Sequence, residues 1–567
     1  MAITVLALVT LAIFLRPAAG ERNIREYDAT TLSGILHVVL GDSMLGGSHA
    51  GYYLHTYSGE YVQILPSGPV PISYSGREVA VSGTMIQLED KMALSATAIT
   101  PIDALSASPS PVVSGTKKMA MILLRYSDSS AYAPDDVTYY SNLMNPAMNS
   151  VNAFYREESY GLLGFRADVY GWYDLPNPRS YYVYGSLTTC GVYFNRLVND
   201  GVALADRYVY FPQYDDVSFV MNDYLDCCAW GGTYTIIADG QAKCYGVTWV
   251  PPWAQNIGLY AHEIGHSLGC PHTGWVYSEY DSIWDVESAG TRFGRVWRGS
   301  YYSVAARQTV DLYSYDPCHH VAYHKIKLGW LNNWYSEIST WPAMITLNAL
   351  AGPCSNFMAI KVRIPGQDPS KNYFTVEART KINYDHSLPR EGVIIHFVDE
   401  DRVCASVSGT SEPVPAYPID STPQSWSLDD AQWEVGTTYA NRAYGIRISI
   451  LSKIGNSYEI RIGEGFDFSL SSSGGITVTR GSSGFNTVTV SLTSGAAQPV
   501  TLSASLPSHL AYNVAISFSP PSATPTFTST LTINTSAYTP VGSYVITVIG
   551  VGGGLTRTTT LSITVNP

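Results

Sequence analysis

Eleven residues carry the chemistry of this chain most plainly: His262-Glu263-Ile264-Gly265-His266-Ser267-Leu268-Gly269-Cys270-Pro271-His272. Their spacing is H-E-x-x-H-x-x-G-x-x-H. On a helix, residues i and i+4 share a face, so His262 and His266 can aim two imidazoles at one metal ion. Glu263 lies one step round the helix, free to reach a water without ligating. Gly269 can take a positive φ and end the helix. Pro271 stiffens the returning chain, and His272 can supply a third nitrogen. Three protein ligands with an open fourth position are the pattern of a catalytic Zn2+, whereas a structural zinc usually takes a fourth protein ligand. The pattern names His262, His266 and His272 as metal ligands and Glu263 as the general base.

These side chains need a helix and a turn to hold them. Residues Ala254 to Ala261 are compatible with a helix entering the motif. Upstream, Met119-Ala120-Met121-Ile122-Leu123-Leu124 reads as a buried strand, Asn142 to Tyr160 suits a helix, and Val169–Tyr173, Tyr208–Pro212 and Phe219–Met221 read as further strands. Strands alternating with helices predict an α/β core over residues 117–340. Residues 21–116 read as a small β domain, with a hairpin over Gly51–Leu65 turning at Ser58-Gly59 and a further strand over Ser75–Gly83. The Ser-, Pro- and Ala-rich stretch from Pro101 to Gly115 reads as a linker. The N-terminal domain is either a propeptide or a permanently retained domain, and it holds no cysteine with which to silence a metal. Residues 341–466 are β-rich. Residues 467–567 read as short Thr/Val/Ile/Leu strands at regular spacing, the pattern of an Ig-like β-sandwich.

The 567 residues suffice for roughly three or four domains. A net charge of −13 without a Lys/Arg run argues against a nucleic-acid partner. Charged residues are 14% and tyrosines number 42, a surface chemistry that suits an extracellular protein. Met1 to Leu15 is nearly free of polarity and is followed by Arg16-Pro17-Ala18-Ala19-Gly20, so residues 1–20 read as a signal peptide, with an uncleaved anchor as the alternative. No other stretch is long enough to span a bilayer. All eight cysteines lie between Cys190 and Cys404, and behind an export signal they suggest disulfides. Cys270, inside the motif, reads as a disulfide partner bracing the turn to His272. His319, His320 and His324 form a second cluster, read as polar packing with a second metal as the alternative.

The motif and several other stretches resemble the secreted metzincin proteases of the immune-inhibitor-A and gametolysin type. The matching pieces are Gly115–Lys118, Phe154–Gly161, Val169–Tyr173, Ala322–Trp330 and Tyr373–Arg379, and the resemblance spans about residues 115–465. It implies a multidomain fold: an α/β metzincin-like catalytic domain flanked by an N-terminal small β domain and by C-terminal β-rich and Ig-like β-sandwich domains. It also implies a secreted Zn2+ endopeptidase acting on protein or peptide substrates. Ca2+ has no support in the sequence. The tail resembles Ig-like repeats of prokaryotic surface proteins and reads as a passive stalk or spacer, with a cell-surface or matrix contact as the alternative. One departure stands out. Metzincins carry a methionine turn beneath the zinc, and here no Met falls between Met221 and Met344. Trp284-Asp285-Val286-Glu287-Ser288 matches the W-D-V-M-S of such proteins, with Glu287 in the methionine's place. Glu287 then either supports a ligand histidine from behind or marks a degraded site, in which case the chain is an inactive, protease-fold binding or adhesion protein.

Overall fold

Period-two patterning builds the first five strands: β1 (Arg25–Ser43), β2 (Ser48–Thr56), β3 (Tyr61–Pro66), β4 (Arg77–Leu88) and β5 (Lys91–Pro101). The computed structural model describes residues 25–43, 46–68, 70–88, 91–102, 112–405, 411–464, 466–495, 497–553 and 555–567. The expected signal peptide and the centre of the expected linker lie outside the described residues. In β1, Leu36, Val38 and Leu40 enter a core with Leu54, Ile64, Val81 and Leu94. Alternate residues His37 and Val39 point the other way and are equally buried. β1 pairs with β2 and β4, β2 with β3, β3 with β5, and β5 with β4, so the five strands close on themselves. A closed barrel of this size is filled by its own side chains.

Five more strands follow: β6 (Gly115–Arg125), β7 (Leu163–Asp174), β8 (Asp216–Met221), β9 (Cys228–Ala238) and β10 (Gln241–Val250). β10, β8, β6 and β7 run parallel in that order. β9 and β10 form a hairpin across Asp239-Gly240, both at positive φ, a turn that matches the twist of the flanking strands. β1 then continues past the barrel and pairs antiparallel with β9, from Val39 opposite Gly232 to Ser43 opposite Cys228. Barrel and sheet therefore share β1 in one ten-stranded system.

Among the described residues, six short helices accompany the strands: α1 (Val137–Met144), α2 (Val151–Glu158), α3 (Arg179–Tyr182), α4 (Phe194–Ala205), α5 (Ile257–Ser267) and α6 (Ala322–Lys327). Phe154 of α2 and Leu259 and Ile264 of α5 pack in one core, and Leu197 and Val198 of α4 in another. Residues 335–464 form a five-stranded and a four-stranded sheet around a shared core of Ile345, Phe374, Ile395, Ile448 and Ile460. Residues 467–566 form two further sheets, of four and five strands, around Phe468, Val490, Leu531 and Ile563.

This architecture corrects the expected one. The chain is mostly β, and an α/β metzincin-like catalytic domain flanked by separate β domains does not emerge. Helix was over-assigned in the sequence and strand under-assigned. The expected helix over 142–160 breaks at Pro146, whose ring and missing N–H bar a continuous helix, leaving α1 and α2 with a turn through Asn149 at φ 53°. Tyr208–Pro212 is not a strand; Phe211–Gln213 makes one turn of 3-10 helix. The β9–β10 hairpin was not among the expected elements, and β9 is what joins the parallel strands to the barrel.

The contact between β9 and α5 depends on one missing side chain. A Cβ at Gly231 would lie 2.1 Å from the Glu263 carbonyl oxygen. Gly231→Ala should push the strand off the helix and cost about 1–3 kcal/mol, as overpacking does. Lower thermal stability in scanning fluorimetry is the expected result, and an unchanged melting temperature would contradict this packing.

Candidate metal centre

α5 is aimed by its caps. The Asn256 side chain accepts the Leu259 N–H at 3.1 Å and starts the helix. Gly269, at φ 93°, ends it, and the Cys270 N–H donates to the Gly265 carbonyl at 2.9 Å. Two further glycines let the 285–291 loop lie against the helix. A Cβ at Gly258 would meet the Thr291 carbonyl oxygen at 2.0 Å, and one at Gly265 would meet a Glu287 oxygen at 1.8 Å.

His262, His266 and His272 are all buried and converge. Each Nδ1 is committed elsewhere. His262 donates to the Val286 carbonyl at 2.7 Å, His266 to the Cys270 carbonyl at 2.8 Å, and His272 to the Glu412 carboxylate at 3.0 Å. A carbonyl oxygen only accepts, so the Nδ1–H tautomer is fixed and Nε2 keeps its lone pair in the neutral ring. The Nε2 atoms of His262 and His266 lie 3.1 Å apart.

A fourth group enters from β1. Asp42 Oδ1 lies 3.0 Å from His262 Nε2 and 2.9 Å from His272 Nε2, and Oδ2 lies 3.2 Å from His266 Nε2. These spacings approach the roughly 3.3 Å edge of a tetrahedron with bonds of about 2 Å. The three Nε2 atoms and the two Asp42 oxygens would repel one another unless protons or a metal ion lay among them. Burial pushes the Asp42 carboxyl up, but the His262 and His272 imidazoles outweigh it and hold the carboxyl well below its ordinary range. Burial likewise opposes charge on His272, yet Asp42 and Glu412 lift it well above 6.5. The donor set therefore fits a divalent metal of the zinc type. The Tyr280 hydroxyl donates to Asp42 Oδ1, and its ring stands edge-on to His272 at 5.2 Å between centroids.

Glu263 is fully buried beside these groups, and neither carboxylate oxygen has a hydrogen-bond partner among the described residues. Burial, followed by the charges of Asp42 and Glu287, raises it well above 4.5. A carboxylate left without a partner is costly, and one placed here is available to a water or a substrate N–H.

Glu287 does sit beneath the imidazoles, and it is not isolated. One oxygen lies 2.7 Å from His320 Nε2, the other 3.2 Å from His266 Nδ1. Burial would raise its carboxyl, but the His266, His262 and His320 rings together hold it down. His320 Nδ1 reaches Glu158 at 2.7 Å, so this ring bridges two buried carboxylates. His319 pairs with Glu157 at 2.8 Å and His324 with Asp285 at 3.0 Å. The second histidine cluster is thus woven into carboxylates under the first, and Cys270, Glu287 and His320 stand close enough to share an ion. Arg379 holds the loop from below, through Asp385 at 2.6 Å and the Trp284 carbonyl.

Cys270 has no cysteine partner, which corrects the expected disulfide at this turn. Disulfide geometry among the described residues is confined to one place, where Cys227 stands beside both Cys190 and Cys228 with His49 nearby. One sulfur forms one disulfide, so these two pairings exclude each other.

Sequence reasoning placed His262, Glu263, His266 and His272 in one cluster, and the structure brings all four together. It missed Asp42, Tyr280 and Glu412. An aspartate ending the apolar run Ile35–Leu40 was the only signal for the first, and nothing adjacent marks the other two.

Neither a protein-family model nor a curated protein matches this chain. Among solved structures, a family 123 glycoside hydrolase from Clostridium perfringens aligns at 13% identity and a TM-score of 0.15 over 18% of this chain. That alignment spans 27% of the hydrolase chain. The VesB protease of Vibrio cholerae aligns at 10% identity and a TM-score of 0.14, over 40% of this chain and 96% of its own. Likenesses this slight carry no argument about fold or activity.

Two measurements test the centre. Glu412→Ala strips His272 Nδ1 of its acceptor and should weaken metal binding about 10–100-fold, as loss of such outer partners does; competition against a chromogenic chelator reads this, and unchanged affinity would assign Glu412 no part in the centre. The second concerns pH. Burial opposes the charge on His324, but Asp285, followed by Cys270, lifts it to about 10. A raised histidine stabilises the fold fully below its unfolded pKa of about 6.5 and loses that contribution as pH rises towards the folded value. Wild type should therefore lose more thermal stability than His324→Gln between pH 6.5 and 10, and parallel curves would contradict the pairing.

Proposed function

We propose that this chain is a secreted zinc-dependent endopeptidase of the kind its sequence resembles. The observation that carries the reading is Glu263: a buried carboxylate without a partner, one helical step from two imidazoles whose Nε2 atoms converge with that of His272. His262, His266 and His272 would hold the zinc. When bound, that ion acidifies a water and polarises a carbonyl. Glu263 accepts the water's proton as the oxygen attacks the scissile carbonyl carbon, and then passes it to the departing amine. The Tyr280 hydroxyl stands where it can donate to an oxygen that gains charge. The edge of β9 that lies over α5 is taken by β1, and an extended peptide could pair there only in place of β1.

The rival reading, an inactive protease-fold binding or adhesion protein, drew on Glu287 in place of methionine. Glu287 has a buried imidazole partner in His320, whose Nε2 lies 2.7 Å away, so the substitution does not leave an isolated carboxylate in the site. Export fits the described residues, none of which forms a helix long and apolar enough to cross a membrane. A protein or peptide substrate, no nucleic acid, and a surface or matrix contact through residues 467–567 complete the proposal.

Glu263→Gln keeps the shape of the side chain and removes the base. The variant should hold one zinc per chain, by atomic absorption, while losing at least about a thousandfold in kcat on a quenched casein. Full turnover in the variant would sink the mechanism; loss of zinc together with turnover would mean that Glu263 serves the fold instead.

A further inference from the structure

The motif provides three ligands, yet the folded chain presents four. Asp42 places its two oxygens 2.9–3.2 Å from the Nε2 atoms of His262, His266 and His272, and it is buried there with them. The strand that delivers it matters equally. Val39 to Ser43 of β1 pair antiparallel with Gly232 to Cys228 of β9. β9 is the strand whose Gly231 lies on the Glu263 carbonyl of α5. β1 thus lies along the edge of β9 that passes over α5, an edge an extended peptide could use. At Gly41 the fit is tight, since a Cβ there would lie 2.5 Å from the Trp230 ring.

A four-ligand closed set is also what a permanent structural zinc would show. Two features argue against permanence. Glu263 serves no ligand and no hydrogen bond in the closed arrangement, although it is buried at the centre. And β1 belongs to a barrel with an apolar core of its own, from Leu36, Val38, Leu54, Ile64, Val81 and Leu94, joined to the rest by the β1–β9 pairing, by Val39, Tyr53 and Tyr61 packed on the neighbouring core, and by polar contacts such as His37 to Thr235 at 3.0 Å and Ser48 to Glu412 at 2.8 Å. A unit with its own core can separate from its partner without unfolding itself.

We propose that the N-terminal barrel is an internal inhibitor, in which Asp42 fills the fourth metal position and β1 fills the peptide-pairing edge of β9, so that the full chain is latent. The inference rests on the peptidase reading for its consequence but not for its geometry. Displacing β1 withdraws the carboxylate and bares the strand edge in one movement, which frees Glu263 to act.

The test uses the full chain loaded with Co2+, whose visible absorption reports its ligands, in wild type, Asp42→Ala and the near-isosteric Asp42→Asn, which guards against a folding defect. Acetohydroxamate is the probe, and casein cleavage by the zinc form is measured in parallel. The wild-type spectrum should ignore the probe. Both variants should show an altered spectrum, respond to the probe at concentrations at least about tenfold lower, and cleave casein at least about a hundredfold faster than wild type. Identical spectra and equal probe binding in all three proteins would overturn the inference. A variant that gains probe binding without cleavage would uphold Asp42 as the blocking ligand and leave β1 on the β9 edge as the remaining block.

Discussion

Three imidazoles that must each keep one nitrogen bare set the terms for the rest of this molecule. A histidine ligates through one nitrogen only if the other has a fixed partner. Here those partners come from three places: the carbonyl of Val286 in the loop after the motif, the carbonyl of Cys270 in the turn that ends α5, and the carboxylate of Glu412. The first requires the loop to lie on the helix, hence the glycines at 258 and 265, where any side chain would strike it. It also requires Arg379 beneath, tying Trp284 and Asp385 together. The third requires a strand 140 residues further along the chain. The five-stranded sheet, through Arg379, and the short pairing of Val403–Ala405 with Ser411–Pro413, through Glu412, are therefore part of the centre's construction.

Charge balance follows from the same arrangement. Asp42, Glu263 and Glu287 are buried within reach of one another, and stacking anions in a low-dielectric interior is prohibitive unless cations answer them. Part of the answer is His320, held between Glu158 and Glu287. The remainder falls to the cluster of Nε2 atoms, either as protons or as a metal ion. A preformed site of this kind is costly to keep empty, so a metal bound there would add to the stability of the fold. The replacement of a methionine by Glu287 fits that logic: an anion beneath the rings favours whatever positive charge they gather.

The linear motif made much of the centre legible, because its ligands are local. His262 and His266 share a helix face by spacing alone, and Gly269, at φ 93°, turns the chain to His272 as its type suggested. The partners of those ligands were not legible. Asp42 lies 220 residues before His262, and Glu412 lies in a three-residue strand with no pattern of its own. The fold misled for identifiable reasons. Val151 to Glu158 did form a helix, but Pro146 cut away the half that periodicity had joined to it. In β9, Gly231 and Gly232 mask the strand, since glycine weakens strand propensity where a close approach demands it. The Asp239-Gly240 turn was the clue to that hairpin, and reading it would have exposed the β9 edge.

That edge explains why one strand serves two structures. A sheet edge with bare N–H and C=O groups invites pairing by any extended chain. β1 is 19 residues long, enough to be walled by β4 and β2 over most of its length and still reach β9 with its last five residues. Its two faces are buried in different cores, Leu40 with the barrel and Val39 with the sheet behind α4. A strand so placed cannot slip by one residue without exchanging those faces. The register that seats Val39 is thus the register that delivers Asp42 three residues later. The position of the carboxylate over the histidines is fixed by apolar packing along the whole strand, not by its contacts with the rings.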